Sequence, residues 1–116
     1  MSAHEIWPIV ENVYGLAAAG SAATIPDPAT ATVIELKLTV SPCVLTFPAG
    51  QPGRSFLLML TQDGSGSRTV TWPAGIAWSG GTAPTLTTAA NKTDVFTFVY
   101  NAQRAAWLGF TDGLNF

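Results

Sequence analysis

The chain has 116 residues, of which 47% are apolar and only 10% charged, and a formal net charge of −2. This length holds one domain with its own core, and the scattered cations Lys37, Arg54, Arg68, Lys92 and Arg104 form no basic run, which argues against a nucleic-acid partner. Charge far below the usual quarter of residues implies a surface of Thr, Ser, Asn and Gly, or a surface hidden in an assembly, and raises the expectation of a homo-oligomer.

The single cysteine, Cys43, excludes an internal disulfide. Within the run Cys43–Phe47 it is expected to act as a small buried hydrophobe. No apolar run reaches the ~20 residues of a membrane helix, so no membrane insertion is expected. The opening, MSAHEIWPIVENVYG, lacks the basic and long apolar parts of a secretory signal, and synthesis and folding in a cytosol are expected.

Residues 1–20 carry the large apolar side chains Ile6, Trp7, Ile9, Val10, Val13, Tyr14 and Leu16 among few charges. Pro8 suits the first turn of a short helix running to Tyr14, and an extended arm fits equally well. Either way the segment reads as an arm that packs on a neighbour; the alternative is a strand or helix closing its own domain. Residues 21–31 read as a linker held extended by Pro26 and Pro28. The β-domain is expected over 32–116.

From Thr32 to Val40 the pattern alternates, with Ile34, Leu36, Leu38 and Val40 facing one way and Val33, Glu35, Lys37 and Thr39 the other. That predicts a strand with one buried and one solvated face. Ser41-Pro42 breaks it, and Cys43–Phe47 begins another strand, closed by the turn composition of residues 48–53. The unbroken run Phe56–Leu60 predicts a strand buried on both faces. The chain is then expected to reverse through residues 62–67, where Gly64 and Gly66 permit positive φ and Asp63 can bond the local backbone. Arg68 to Trp72 would return as the second strand of a hairpin that ends at Pro73.

Residues 75–84 read as a loop holding Trp78 and the Gly80-Gly81 pair, and Thr85–Thr88 as a short strand. Asp94–Tyr100 predicts a strong strand, with Phe96, Phe98 and Tyr100 sharing a face. It turns through residues 101–104 into Ala105–Phe110 as a final hairpin. About seven or eight short strands with almost no helix predict an all-β fold, an antiparallel β-sandwich or jelly-roll-like domain.

Chemistry is scarce in this inventory. His4 is the one histidine, and a Cys43–His4 pair is better read as chance than as a nucleophile with its base. One Cys and one His make no structural zinc site. Among the carboxylates Asp63 and Asp94 would be the candidates for paired acid–base work, but capping of backbone amides is the favoured role for both. The stretch Asp63-Gly64-Ser65-Gly66 lacks the further acidic ligands of a calcium loop and the helix and lysine of a phosphate loop. No enzyme, cofactor or metal site is expected. Trp72, Trp78 and Trp107 could offer flat rings to a sugar, but Trp72 and Trp107 read as core or interface anchors. Trp78 reads as partly exposed, with packing over the mouth of its own sandwich as the favoured role.

The segments Gln62–Pro73 (QDGSGSRTVTWP), Trp78–Lys92, Asp94–Phe98 and Trp107–Gly109 together resemble a module of tailed-phage virion proteins that recurs near the ends of tail-fibre and minor structural proteins. The resemblance spans roughly residues 30–110. It implies a non-enzymatic β-structured virion component, often trimeric and assembled in the host cytoplasm, and it carries over no catalytic residues. In fibres the module ends a long polypeptide, whereas here it is nearly the whole chain. The expectation is therefore a homotrimeric capsid decoration (cement) protein, or a head or tail appendage. It would attach to the major capsid protein or to tail or fibre proteins through Ile6, Trp7, Ile9, Val10, Val13 and Tyr14. The alternative is a tail-fibre-type receptor-binding module that recognises a host surface glycan through Trp78 and the loop at Gly80 and Gly81.

Overall fold

The chain winds between two sheets. A computed structural model describes residues 12–116, and in them nine strands form: β1 (Val13–Leu16), β2 (Ala22–Thr24), β3 (Val33–Leu38), β4 (Cys43–Thr46), β5 (Ser55–Gln62), β6 (Val70–Thr71), β7 (Ala77–Trp78), β8 (Thr93–Asn101) and β9 (Ala106–Gly113). A single 3-10 turn, Ser79–Gly81, follows β7. The large sheet has the order β1-β3-β5-β8-β9-β7 and the small one β2-β4-β6. The fold is all-β, as expected, and sandwich-like in arrangement.

The large sheet is mixed and the small one parallel, rather than antiparallel. The first six strands alternate between the sheets, and each pairs in parallel with the strand two places before it. Val13 lies opposite Val33, which lies opposite Leu57; Ala22 lies opposite Val44, which lies opposite Thr71. A parallel pair needs a crossover connection, and here the crossover is itself a strand of the other sheet. Antiparallel pairing enters with β5–β8 and β8–β9, while β7 returns in parallel beside β9.

The central hairpin does not form. Both edges of β5 are occupied, by β3 and by β8, so the chain leaving Gln62 has no ladder to return along. It crosses instead to the small sheet, where β6 pairs with β4. The alternating pattern of Arg68–Trp72 is still satisfied, because Val70 and Trp72 pack on the core from that side while Thr71 faces solvent. The apolar run of β5 likewise has a simpler cause than two buried faces. Phe56, Leu58 and Leu60 face the core, and Leu57 and Met59 sit half-buried on the outer face. Thr85–Thr88 is not a strand. The final hairpin forms as expected, its turn held by Asn101 Oδ1, which accepts from the amides of Gln103 and Arg104.

The expected arm and linker each hold a strand. Val13–Leu16 pairs with Val33–Leu36, and Ala22–Thr24 with Val44–Thr46. Tyr14 and Leu16 pack against the core, and Ala19, Ala23 and Ile25 are buried in it. The helical alternative thus fails for Val13 and Tyr14: neighbouring strands offer backbone partners and apolar contacts to an extended chain at this position. Removing residues 1–20 would take away a strand of the large sheet. Of the residues named for attachment, Ile6, Trp7, Ile9 and Val10 lie outside the described residues.

The core sits between the sheets. Ile34, Leu36 and Leu38 of β3, Cys43 and Leu45 of β4, Phe56, Leu58 and Leu60 of β5 and Phe96 and Phe98 of β8 are at most 2% exposed. One end of it is aromatic: Phe47 lies edge-on to Phe56 and Phe98 at 5.2 and 4.8 Å, and Trp72 meets Trp78 at 4.9 Å. Such edge-to-face pairs add to what area burial alone supplies.

Candidate functional site

Two places carry the residues singled out by the sequence. The first is the corner after β5. Gln62 is 2% exposed and lies on the inner side of β5 with Phe56, Leu58 and Leu60, so its amide must find partners in the interior. It finds three. Nε2 donates to the carbonyls of Arg68 and Thr87, each at 2.9 Å, and Oε1 accepts from the amide of Arg68 at 2.9 Å. One side chain therefore pins the crossing to the small sheet and the segment before β8.

Asp63 holds the same corner from outside. Oδ1 accepts from the amides of Ser65 and Gly66 at 3.0 and 3.1 Å, and Oδ2 accepts from Arg68 Nε and Nη2 at 3.1 and 2.9 Å. The hydrogen bond from the Arg68 guanidinium, with the two amides behind it, holds the Asp63 carboxyl below its ordinary value. Asp94 is 3% exposed and accepts from the amides of Thr87 at 2.7 Å and Asn115 at 3.0 Å. Both candidate carboxylates are thus occupied in tying backbone, which is the capping role expected of them. Cys43 is fully buried, and burial pushes its thiol up from the ordinary value. Among the described residues no three His, Cys, Asp or Glu side chains gather as a metal site.

A pH dependence follows from Asp63. A carboxyl whose pKa is lowered on folding stabilises the fold above its unfolded value, about 4, and that contribution is lost as pH falls through the lower folded value. Asp63→Asn should therefore be less stable than the parent at neutral pH, with the gap narrowing as pH drops below about 4. Urea midpoints at a series of pH values check this, and a gap that stays constant across the series would refute it.

The second place is the far edge of the large sheet, where β7 meets β9. Trp78 lies opposite Gly109. A Cβ at Gly109 would come within 2.7 Å of the Trp78 ring, so the glycine is what lets the indole approach the strand this closely. The ring also packs against Trp72, Phe96 and Phe98. Trp78 is half-buried, packs against the core and is among the residues that line an open pocket of about 230 Å³. Ser79, Arg104, Leu108 and Phe110 complete the wall.

The other expected site residues are dispersed. Val13, 56% exposed, stands on the outer face of the free edge strand β1, and Tyr14 turns inward against the core. Trp107 is 8% exposed, with Nε1 donating to the Pro48 carbonyl, and Trp72 is packed on the core; both match the anchor role. Gly80 and Gly81 lie exposed in the turn after Trp78, both with positive φ. Arg104 and Phe110 were not singled out by sequence reasoning. Period-two alternation puts Phe110 on the face opposite Trp107, but nothing local signals that the turn at Arg104 comes back to Trp78.

A family model described as "Putative phage tail fibre C-terminal domain" matches residues 11–104. No curated protein and no solved structure matches the chain.

Proposed function

Because the chain belongs to the phage tail fibre C-terminal domain family, we propose that it is a host-facing fibre domain that works as a homotrimer. As a member of that family it is a phage structural protein of the virion. The family match carries the fibre reading, since it spans most of the chain and includes β1 and β2 as well as the motif region. Oligomerisation is supported by the outer face of the large sheet, where Val13, Val33 and Leu57 stand side by side across three strands with Val13 open to solvent. Apolar rows of this kind on a soluble domain mark contact surfaces. The chain's 10% charge points the same way.

On this reading the two edges of the large sheet divide the work. The β1 side carries the apolar row, and we propose attachment to the particle through Ile6, Trp7, Ile9 and Val10, which precede β1 in the sequence. The β7–β9 side, with Trp78, meets glycan on the host surface. A capsid decoration protein could be built from the same module, and copy number separates the two. Purified particles should hold a few copies of this chain per particle, quantified against the major capsid protein. A fixed ratio with copies in the hundreds would move the chain to the capsid surface, and absence from particles would sink both locations.

A further inference from the structure

We infer that the pocket at the β7–β9 edge is a site for an anionic pyranose, with Arg104 taking the carboxylate and Phe110 and Leu108, on the outer face of β9, taking the apolar ring face. The inference rests on the reading of the chain as a host-facing domain and names the class of sugar that it takes.

Charge comes first. Arg104 is the charged member of the pocket wall, and it stands exposed. Arg54 and Arg68 are each committed to an aspartate, Asp27 and Asp63, at 2.9 Å. The Arg104 guanidinium has no hydrogen-bond or ion-pair partner among the described residues, and its backbone amide is fixed by Asn101 Oδ1 at 3.2 Å. A planar fork of donors beside an apolar wall suits bidentate recognition of a carboxylate. Asp112, on β9, accepts from the Thr97 hydroxyl.

Shape comes second. About 230 Å³ lies below the ~300 Å³ at which drug-sized pockets begin, which leaves room for one ring with the rest of an oligosaccharide in solvent. Phe110 is 40% exposed and projects from the outer face of β9 just past the end of β7. Leu108, two residues before it, extends the apolar wall, and Ser79 is a polar member of the lining. An apolar surface with a few polar groups at its rim is the general plan of small-ligand sites.

Variants must respect the packing. Trp78→Ala would disturb the core through Trp72, Phe96 and Phe98, so the site is tested at Arg104 and Phe110, which are exposed. The probes are a glucuronate-containing tetrasaccharide and its carboxyl-reduced, neutral counterpart, titrated calorimetrically into the full-length protein. We expect the acidic form to bind, carboxyl reduction to weaken binding about tenfold or more, and Arg104→Gln to cost the same factor for the acidic form only. Phe110→Ala should weaken whatever binding either form shows, with thermal unfolding of both variants close to the parent's. Equal binding of the two sugars, or parent-like binding by Arg104→Gln, overturns the charge assignment while leaving a neutral-glycan contact in place. No binding of either probe at about 10 mM overturns the site altogether. The particle copy number is independent of all these outcomes, so loss of the sugar site and loss of the fibre reading are separate results.

Discussion

Phe98→Ala should cost about 3–5 kcal/mol of unfolding free energy, a large share of the ~5–15 kcal/mol that holds a domain of this kind together. Phe98 is fully buried at the centre of the large sheet. Its ring touches both layers, with Phe56 stacked at 5.2 Å on the neighbouring strand and Phe47, Trp72 and Trp78 at 4.8, 5.8 and 5.5 Å. Truncation removes the transfer free energy of the ring and leaves a cavity walled by other rings, which cannot collapse without giving up their own edge-to-face contacts. Phe110→Ala on the outer face of the adjacent strand provides the contrast and should change stability by less than about 1 kcal/mol. Denaturant midpoints at constant slope measure both. A Phe98→Ala loss no greater than that of Phe110→Ala would mean that the aromatic end of the core does not hold the sheets together.

What the sequence disclosed and what it withheld divide along a physical line. Period-two alternation reports which residues share a face: Ile34, Leu36 and Leu38 lie together in the core, as do Phe96 and Phe98, whereas Val40, grouped with the first three, falls beyond the end of β3 and is 40% exposed. It says nothing about which strand lies alongside. The order Phe56–Leu60, polar turn, Arg68–Trp72 satisfies a hairpin and a crossover equally, because in both the inward residues of the second segment meet the same core. Only the occupancy of β5 by β3 and β8 decides between them, and that is a long-range fact. The same limit hid β1 and β2. Four and three residues long, they carry little pattern of their own and take extended form because β3 and β4 offer ladders to them. At the candidate site, Trp78 was legible from its glycine-rich surroundings. Arg104 and Phe110 join it only through the pairing of β7 with β9, made across the length of β8.

Gly66→Ala should destabilise the domain by about 3 kcal/mol or more, whereas Gly64→Ala, two residues earlier in the same turn, should be neutral or slightly stabilising. The turn looks permissive at both positions, but only Gly66 uses positive φ, at 69°. An alanine there adopts a left-handed conformation at a cost of about 1–2 kcal/mol. Space matters more. A Cβ on Gly66 would stand 2.5 Å from the Thr88 carbonyl oxygen and 3.0 Å from the Ala90 amide nitrogen, both backbone atoms that cannot swing aside. Yielding would mean moving the 88–91 segment, and that segment is fastened here: Ser67 N donates to the Thr88 carbonyl at 2.7 Å and Asn91 N to the Asp63 carbonyl at 3.1 Å. Movement would also strain the Gln62 amide, which bonds Thr87 and Arg68 at once, and an interior amide that loses partners costs roughly 1–3 kcal/mol more. A Cβ on Gly64 meets nothing within 4 Å, so alanine there mainly reduces the freedom of the unfolded chain. Unfolding midpoints of the two variants side by side decide the matter. Equal effects would mean that the close approach of the two segments at Gly66 is not what sets the crossing from the large sheet to the small.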